Sequence, residues 1–244
     1  RIYCAVSSAS LMRQAIVQVQ HHVSHRSAFQ RRLIDQPLMR NVIADMVLES
    51  EAALNLSLRV ARAVDNQNSN EDERSFARIS TAISKYWITK RAPYLVFEAL
   101  ECHGGPGYIE ESIMPRLYRE APLNSIWEGS GNVMCLDVLR ALQRDKNALP
   151  ALFRELASAK GSNKNFDESF NHLKETLQDP IDLEVKARLL TEKMACLIQA
   201  SIFIKSGEEE KVSAFCNSRL GPRWSGAFGT LPTDTSFEYI MGGL

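Results

Sequence analysis

Apolar positions along this chain recur at intervals of three and four, and strict strand-like alternation is almost absent. Between residues 37 and 65 the positions Leu38, Val42, Met46, Ala53, Leu56, Val60 and Val64 step by threes, fours and one seven. That spacing predicts one buried face of a helix. Pro37 suits its first position, where a missing N–H costs little. The run Asp65 to Asn70 is polar and turn-prone. Glu71, Asp72 and Glu73 follow as an acidic first turn, favourable at a helix N-terminus. A second stripe then runs through Phe76, Ile79, Ile83, Tyr86, Lys90, Tyr94, Phe97 and Leu100 to about residue 102, with Pro93 as a point of kinking. Gly104-Gly105-Pro106-Gly107 ends it.

Further helices are expected over 131–146, 149–159 and 167–178. Asp179-Pro180 reads as the cap and first position of a long helix to about residue 205, with Leu183, Leu190, Met194, Leu197 and Ser201 among its faces. Glu208 to Leu220 forms the last expected helix. The tail from Gly221 is rich in Gly, Ser and Thr and reads as irregular. The pattern is all-α, without internal repeats or low-complexity blocks.

At 244 residues and 45% apolar content the chain can bury a sizeable core. Its 29 basic and 29 acidic residues cancel, so no global field calls for nucleic acid or a membrane surface. Cys4, Cys102, Cys135, Cys196 and Cys216 show no C-x-x-C and no paired spacing, which suggests reduced thiols and an intracellular, cytoplasmic setting. No run of 18 apolar residues exists to span a membrane. The chain starts at Arg1 and enters a helical pattern at once, as a fragment would. A missing targeting signal therefore leaves the compartment, organelles included, open.

Candidate chemistry concentrates in residues 98–140. Glu128 stands in Trp127-Glu128-Gly129-Ser130-Gly131-Asn132, among glycines and small polar residues instead of helix formers. A carboxylate at such a loop can project into a cavity and act as a base, or it can simply cap a helix. The turn Glu101-Cys102-His103-Gly104-Gly105-Pro106-Gly107-Tyr108 can bring backbone N–H groups close to a phosphate, or merely stop a helix. Arg26-Ser27-Ala28-Phe29-Gln30, with Leu33, offers a guanidinium fork suited to phosphate. His21, His22 and His25 invite a metal reading, but no third acidic ligand is placed in sequence. No H-E-x-x-H, G-x-S-x-G or P-loop occurs.

Together these segments resemble the C-terminal helical part of acyl-CoA dehydrogenases, over roughly residues 1–220. The segment from about 147 onward points to the AidB-like, adaptive or alkylation-response, branch. The resemblance implies an antiparallel helical bundle over 1–146 and a smaller helical extension over 147–244. It makes Glu128 the base that takes the α-proton of an acyl-CoA thioester while FAD takes the β-hydrogen as hydride. Relatives that place the base on the first helix would put it at or just before Arg1. Ser130 and Asn132 match the positions that hydrogen-bond the flavin nucleotide, where Thr and Gln are usual; Asn132 is the shorter side chain.

Gly104 and Gly105 match the turn by the pyrophosphate, and Glu101 stands where a Gln is usual, a carboxylate that must turn away from a diphosphate. Arg26, Phe29 and Leu33 match a segment that reaches FAD across a subunit interface; Gln30 replaces its usual Gly. Arg119, in Tyr118-Arg119-Glu120, also fits the family; it is open to a structural pairing with a carboxylate and is not assigned to catalysis. The family implies a homo-oligomer, a tetramer built on this bundle. Its AidB-like branch also implies DNA as an alternative partner. Residues 141–244 give that no support, with 13 Lys/Arg against 14 Asp/Glu.

Overall fold

The computed structural model describes residues 1–178, 181–222 and 226–242. Three long helices build the bundle: α1 (Ile2–His25), α2 (Pro37–Asn66) and α3 (Glu71–His103). The expected signals place them. Pro37 opens α2, and Asn70 caps α3 by accepting from the N–H groups of Asp72 at 2.9 Å and Glu73 at 3.2 Å. A turn at residues 67–69 reverses the chain, so α2 and α3 pack antiparallel.

Helix α3 is the axis. It packs against α1 and α2, against the short α4 (Gly105–Tyr108) and α5 (Met114–Glu120), and also against α6 (Gly131–Arg144), α7 (Ala148–Ala157) and α9 (Leu183–Ser206). Every residue from Ala82 to Thr89 is buried, which needs neighbours on all sides. Small Ser, Thr and Ala positions let them approach, and the Thr81 and Thr89 hydroxyls turn back onto the carbonyls of Ala77 and Lys85. Two expected stripes are imperfect. Leu38 at the start of α2 is 83% exposed, and Tyr94 and Phe97 of α3 also face outward.

Between α1 and α2 lies a hairpin of two-residue strands, β1 (Ser27–Ala28) and β2 (Arg31–Arg32), paired antiparallel with Ser27 opposite Arg32. Phe29 (φ 53°) and Gln30 (φ 65°) form its turn, both left-handed. Gln30 thus keeps the conformation a glycine would adopt freely, at a cost of about 1 kcal/mol.

After α9 the expected final helix is split. α10 (Glu209–Phe215) is followed by a π-helical turn, Cys216–Leu220. The residues after 221 are not merely irregular. α8 (Lys164–Gln178) packs on α9, while α11 (Phe237–Met241) packs on α2. Buried Arg219 bonds Glu49 at 3.0 Å and also Asp45, and Arg91 bonds Glu49 at 3.1 Å. Asp45 in turn accepts from the Gly229 N–H at 2.9 Å, and Arg91 donates to the Gly226 carbonyl at 3.3 Å. Burial pushes the Glu49 carboxyl up, but Arg91 and Arg219 outweigh it and hold it below the usual carboxylate range. The network straps the tail to α2 and α3. The proposed cap at Asp179-Pro180 lies outside the described residues; α9 starts after Asp182, whose φ is 57°.

Candidate active-site loop and cofactor turn

The loop that carries Glu128 forms where a 3-10 turn (Ala121–Ser125) meets α6. Glu128 (φ 59°) and Gly129 (φ 108°) are consecutive left-handed residues, so the chain reverses sharply and sets Glu128 at the apex. A non-glycine residue held there stores roughly 1–3 kcal/mol, a form of strain that clusters at functional sites. Gly129 suits this turn because a side chain at φ 108° is strained, and a Cβ there would also displace the flexible end of Met134, 2.6 Å from its Cε. Trp127 donates from Nε1 to Asn124 Oδ1 at 3.2 Å and remains 52% exposed. Glu128 stands exposed, not enclosed. Ser130 takes the N-cap position of α6 without a side-chain cap bond.

Cations from three helices hold this loop. Arg1 Nε donates to the Glu128 carbonyl at 3.3 Å, ahead of α1. Lys85 of α3 donates to the Gly129 carbonyl. Arg188 of α9 donates from Nε to Asn132 Oδ1 at 2.9 Å. Behind the loop, Asp137 is buried and takes guanidinium bonds from Arg1 and from Arg78, the latter at 2.9 Å. Burial raises its carboxyl; Arg78 and Arg1 more than reverse that.

The other candidates gather at the C-terminal ends of α1 and α3. Gly104 ends α3 with φ 63° and ψ −142°, a conformation essentially reserved for glycine. A Cβ on Gly104 or Gly105 would meet no protein atom within 4 Å, so their backbone is open on one side. His22 of α1 stacks on His103 of α3, ring centroids 4.7 Å apart, and joins this turn to the segment led by Arg26. Leu33 donates its N–H to the Arg26 carbonyl at 2.9 Å. Phe29 is 91% exposed, and Arg26 and Glu101 are exposed too. Burial and then Glu101 push the Glu98 carboxyl up. Arg119 is held in an exposed pair with Glu110 at 2.7 Å.

The candidates thus form two groups. Glu128, Ser130 and Asn132 lie by Lys85; Arg26, Phe29, Leu33, Glu101, Gly104 and Gly105 lie by His103. At 1.5 Å per residue, Lys85 and His103 are about 27 Å apart along α3.

Residues 1–143 match the family described as "Acyl-CoA dehydrogenase, C-terminal domain". The chain belongs to the acyl-CoA dehydrogenase family. Its likeness to the putative acyl-CoA dehydrogenase AidB of Escherichia coli runs past that domain, at 39% identity over 91% of this chain and 41% of the relative. That breadth makes the chain AidB-like within the family. Acyl-CoA dehydrogenase family member 11 of Caenorhabditis elegans is 31% identical over 84% of this chain and 34% of its own length. The chain therefore spans less than half the length of these curated relatives. Among solved structures, C. elegans ACDH-11 in complex with C11-CoA superposes with a TM-score of 0.82 at 26% identity, covering 94% of this chain and 44% of that one.

Sequence reasoning missed Lys85, Arg188 and the Asp137 cluster. Lys85 had one available signal, a lone lysine between Ile83-Ser84 and Tyr86-Trp87 in a segment otherwise fit for a core. Arg188 had none, since its partner Asn132 lies 56 residues away.

Proposed function

We propose that this chain is the helical C-terminal part of an FAD-dependent acyl-CoA dehydrogenase-like flavoprotein, and that Glu128 is its base. The observation that carries the reading is the left-handed Glu128 at the apex of a loop held by Arg1, Lys85 and Arg188. The Glu128 carboxylate would take the α-proton of an acyl-CoA thioester. Bound FAD would supply the acceptor for the β-hydride, leaving a trans-2-enoyl thioester. The open backbone at Gly104-Gly105 and the donors Arg26, Ser130 and Asn132 fit a dinucleotide with an anionic pyrophosphate.

The separation of the two groups supports self-association, with a tetramer as the assembly. One copy would give its Glu128 loop to one cofactor and its Arg26 and Gly104 end to another. Phe29, nearly fully exposed on a hairpin tip, suits coverage by a second copy. No helix among the described residues is long and apolar enough to cross a membrane; a cytoplasmic setting belongs to the same reading. DNA is the weaker reading, since residues 141–244 carry no net positive charge.

The test uses the full-length flavoprotein. Anaerobic addition of an acyl-CoA panel should bleach the flavin, and Glu128→Gln should slow bleaching by about 10³-fold, the range of a lost general base. No bleaching with any chain length, or full bleaching in Glu128→Gln, rejects the assignment.

A further inference from the structure

Two cations that grip the Glu128 loop come from elements with no part in proton abstraction. Lys85 is 1% exposed, and its ammonium donates to the carbonyl of Gly129. Burying an ammonium against one neutral carbonyl is unfavourable unless the site is over-determined. Burial, with Arg1 and Lys90, lowers the pKa of Lys85; Cys4 and Glu128 oppose them. Its bond falls on the residue whose φ of 108° turns the chain, so it fixes the peptide plane that follows Gly129, while Arg1 holds the carbonyl of Glu128 itself.

Arg188 belongs to α9, beyond the residues matched by the family domain. By donating to Oδ1 of Asn132 it settles which way that amide points. The Nδ2 amino group is then a pure donor. Lys90 adds to the local field: a Cβ on Gly131 would lie 2.9 Å from Lys90 Cε and 3.4 Å from Arg188 Nη2.

We propose that Lys85 and Arg188 are positioning residues, Lys85 for the carboxylate of Glu128 and Arg188 for the amide of Asn132 toward a cofactor phosphate or ribose oxygen. This rests on Glu128 being the base, and it makes the segment after the family domain a working part of the site. An isolated bundle ending near residue 143 would lack one arm of the clamp.

The experiment uses full-length protein with FAD and three variants in parallel: Arg188→Gln, Lys85→Met and Glu128→Gln. Apoprotein is titrated with FAD by flavin fluorescence, and anaerobic flavin reduction by acyl-CoA is followed against pH. Arg188→Gln, on an exposed side chain, should weaken FAD about tenfold, the worth of one charge-assisted hydrogen bond, with Arg188→Lys recovering part of it. Lys85→Met should cut the limiting reduction rate about tenfold at unchanged KM and displace the acid limb of the pH profile. A role in stability alone would move neither the limb nor the FAD affinity. Should Lys85→Met fail to fold, Arg188→Gln still decides. Wild-type FAD affinity in Arg188→Gln, or a wild-type rate and pH profile in folded Lys85→Met, overturns the clamp when Glu128→Gln has lost reduction. A Glu128→Gln protein that still bleaches overturns the base reading and the positioning of Glu128 with it.

Discussion

The two ends of the α1–α3 pair use glycine for opposite reasons. At the Glu128 end the backbone itself favours it: Gly129 turns at φ 108°, where a side chain is strained, while three cations hold the adjoining backbone and side chains. At the Gly104 end nothing in the chain fills the space a Cβ on Gly105 would take. The first end is over-determined from within and presents one strained carboxylate. The second is under-filled and surrounded by exposed Arg26, Phe29 and Glu101. On the proposed function, the end that aims a base is the one built tight, and the end that admits another molecule is the one left open.

The largest test of that contrast is a matched pair of alanines. Gly129→Ala should cost about 1–3 kcal/mol of stability, chiefly from a Cβ at φ 108°, with Met134 Cε having to move aside, read by chemical denaturation. Gly105→Ala, which has no such clash, should cost at most about 1 kcal/mol. Its effect should appear in FAD binding instead, as weaker affinity of the full-length oligomer. Equal losses of stability at both positions would dissolve the distinction.

Next in size is relief of strain at two of the left-handed positions that are not glycine, one at each end. Glu128→Gly and Gln30→Gly should each stabilise the fold by about 1 kcal/mol, since both residues sit at φ near 60°. Only Glu128→Gly should abolish flavin reduction. If Glu128→Gly destabilises the protein, the loop is held by contacts of the carboxylate and not by its backbone clamp.

These outcomes bear on what the sequence could show. The helices were legible because their signals are local: the apolar period, Pro37 at the head of α2, and Asn70 with its acidic turn at the head of α3. The loop around Glu128 was legible as a motif, but its clamp was not. Lys85, Arg188 and Arg1 reach it from three helices, and no window of sequence holds them together. The tail was misread for the same reason. Asp45, Glu49, Arg91 and Arg219 are ordinary charges in sequence, and only folding across about 170 residues makes them a buried strap for residues 226–230. The exposure of Leu38, Tyr94 and Phe97 shows the limit of periodicity. It finds a face, but cannot say whether this chain or another one covers it.

The smallest effect is in acid titration, where the two ends should respond in separate windows. Burial, His103, Arg26 and His21 all lower the pKa of His22 from 6.5. The folded turn end therefore favours neutral His22, and its contribution is complete above 6.5. As pH falls below 6.5 the unfolded chain takes up a proton that the fold resists, and stability declines toward the lowered folded value. Asp137, at the loop end, has its carboxyl held below 3.8 by arginines despite burial. Its contribution is present above 3.8 and is lost only as pH falls beneath that. Melting temperature measured downward from pH 7 should thus show a shallow decline first and a steeper one below pH 4. His22→Gln should flatten the first decline and leave the second. If the first persists in His22→Gln, the stacked histidines do not couple the Arg26 segment to the Gly104 turn, and the open end owes its arrangement to packing alone.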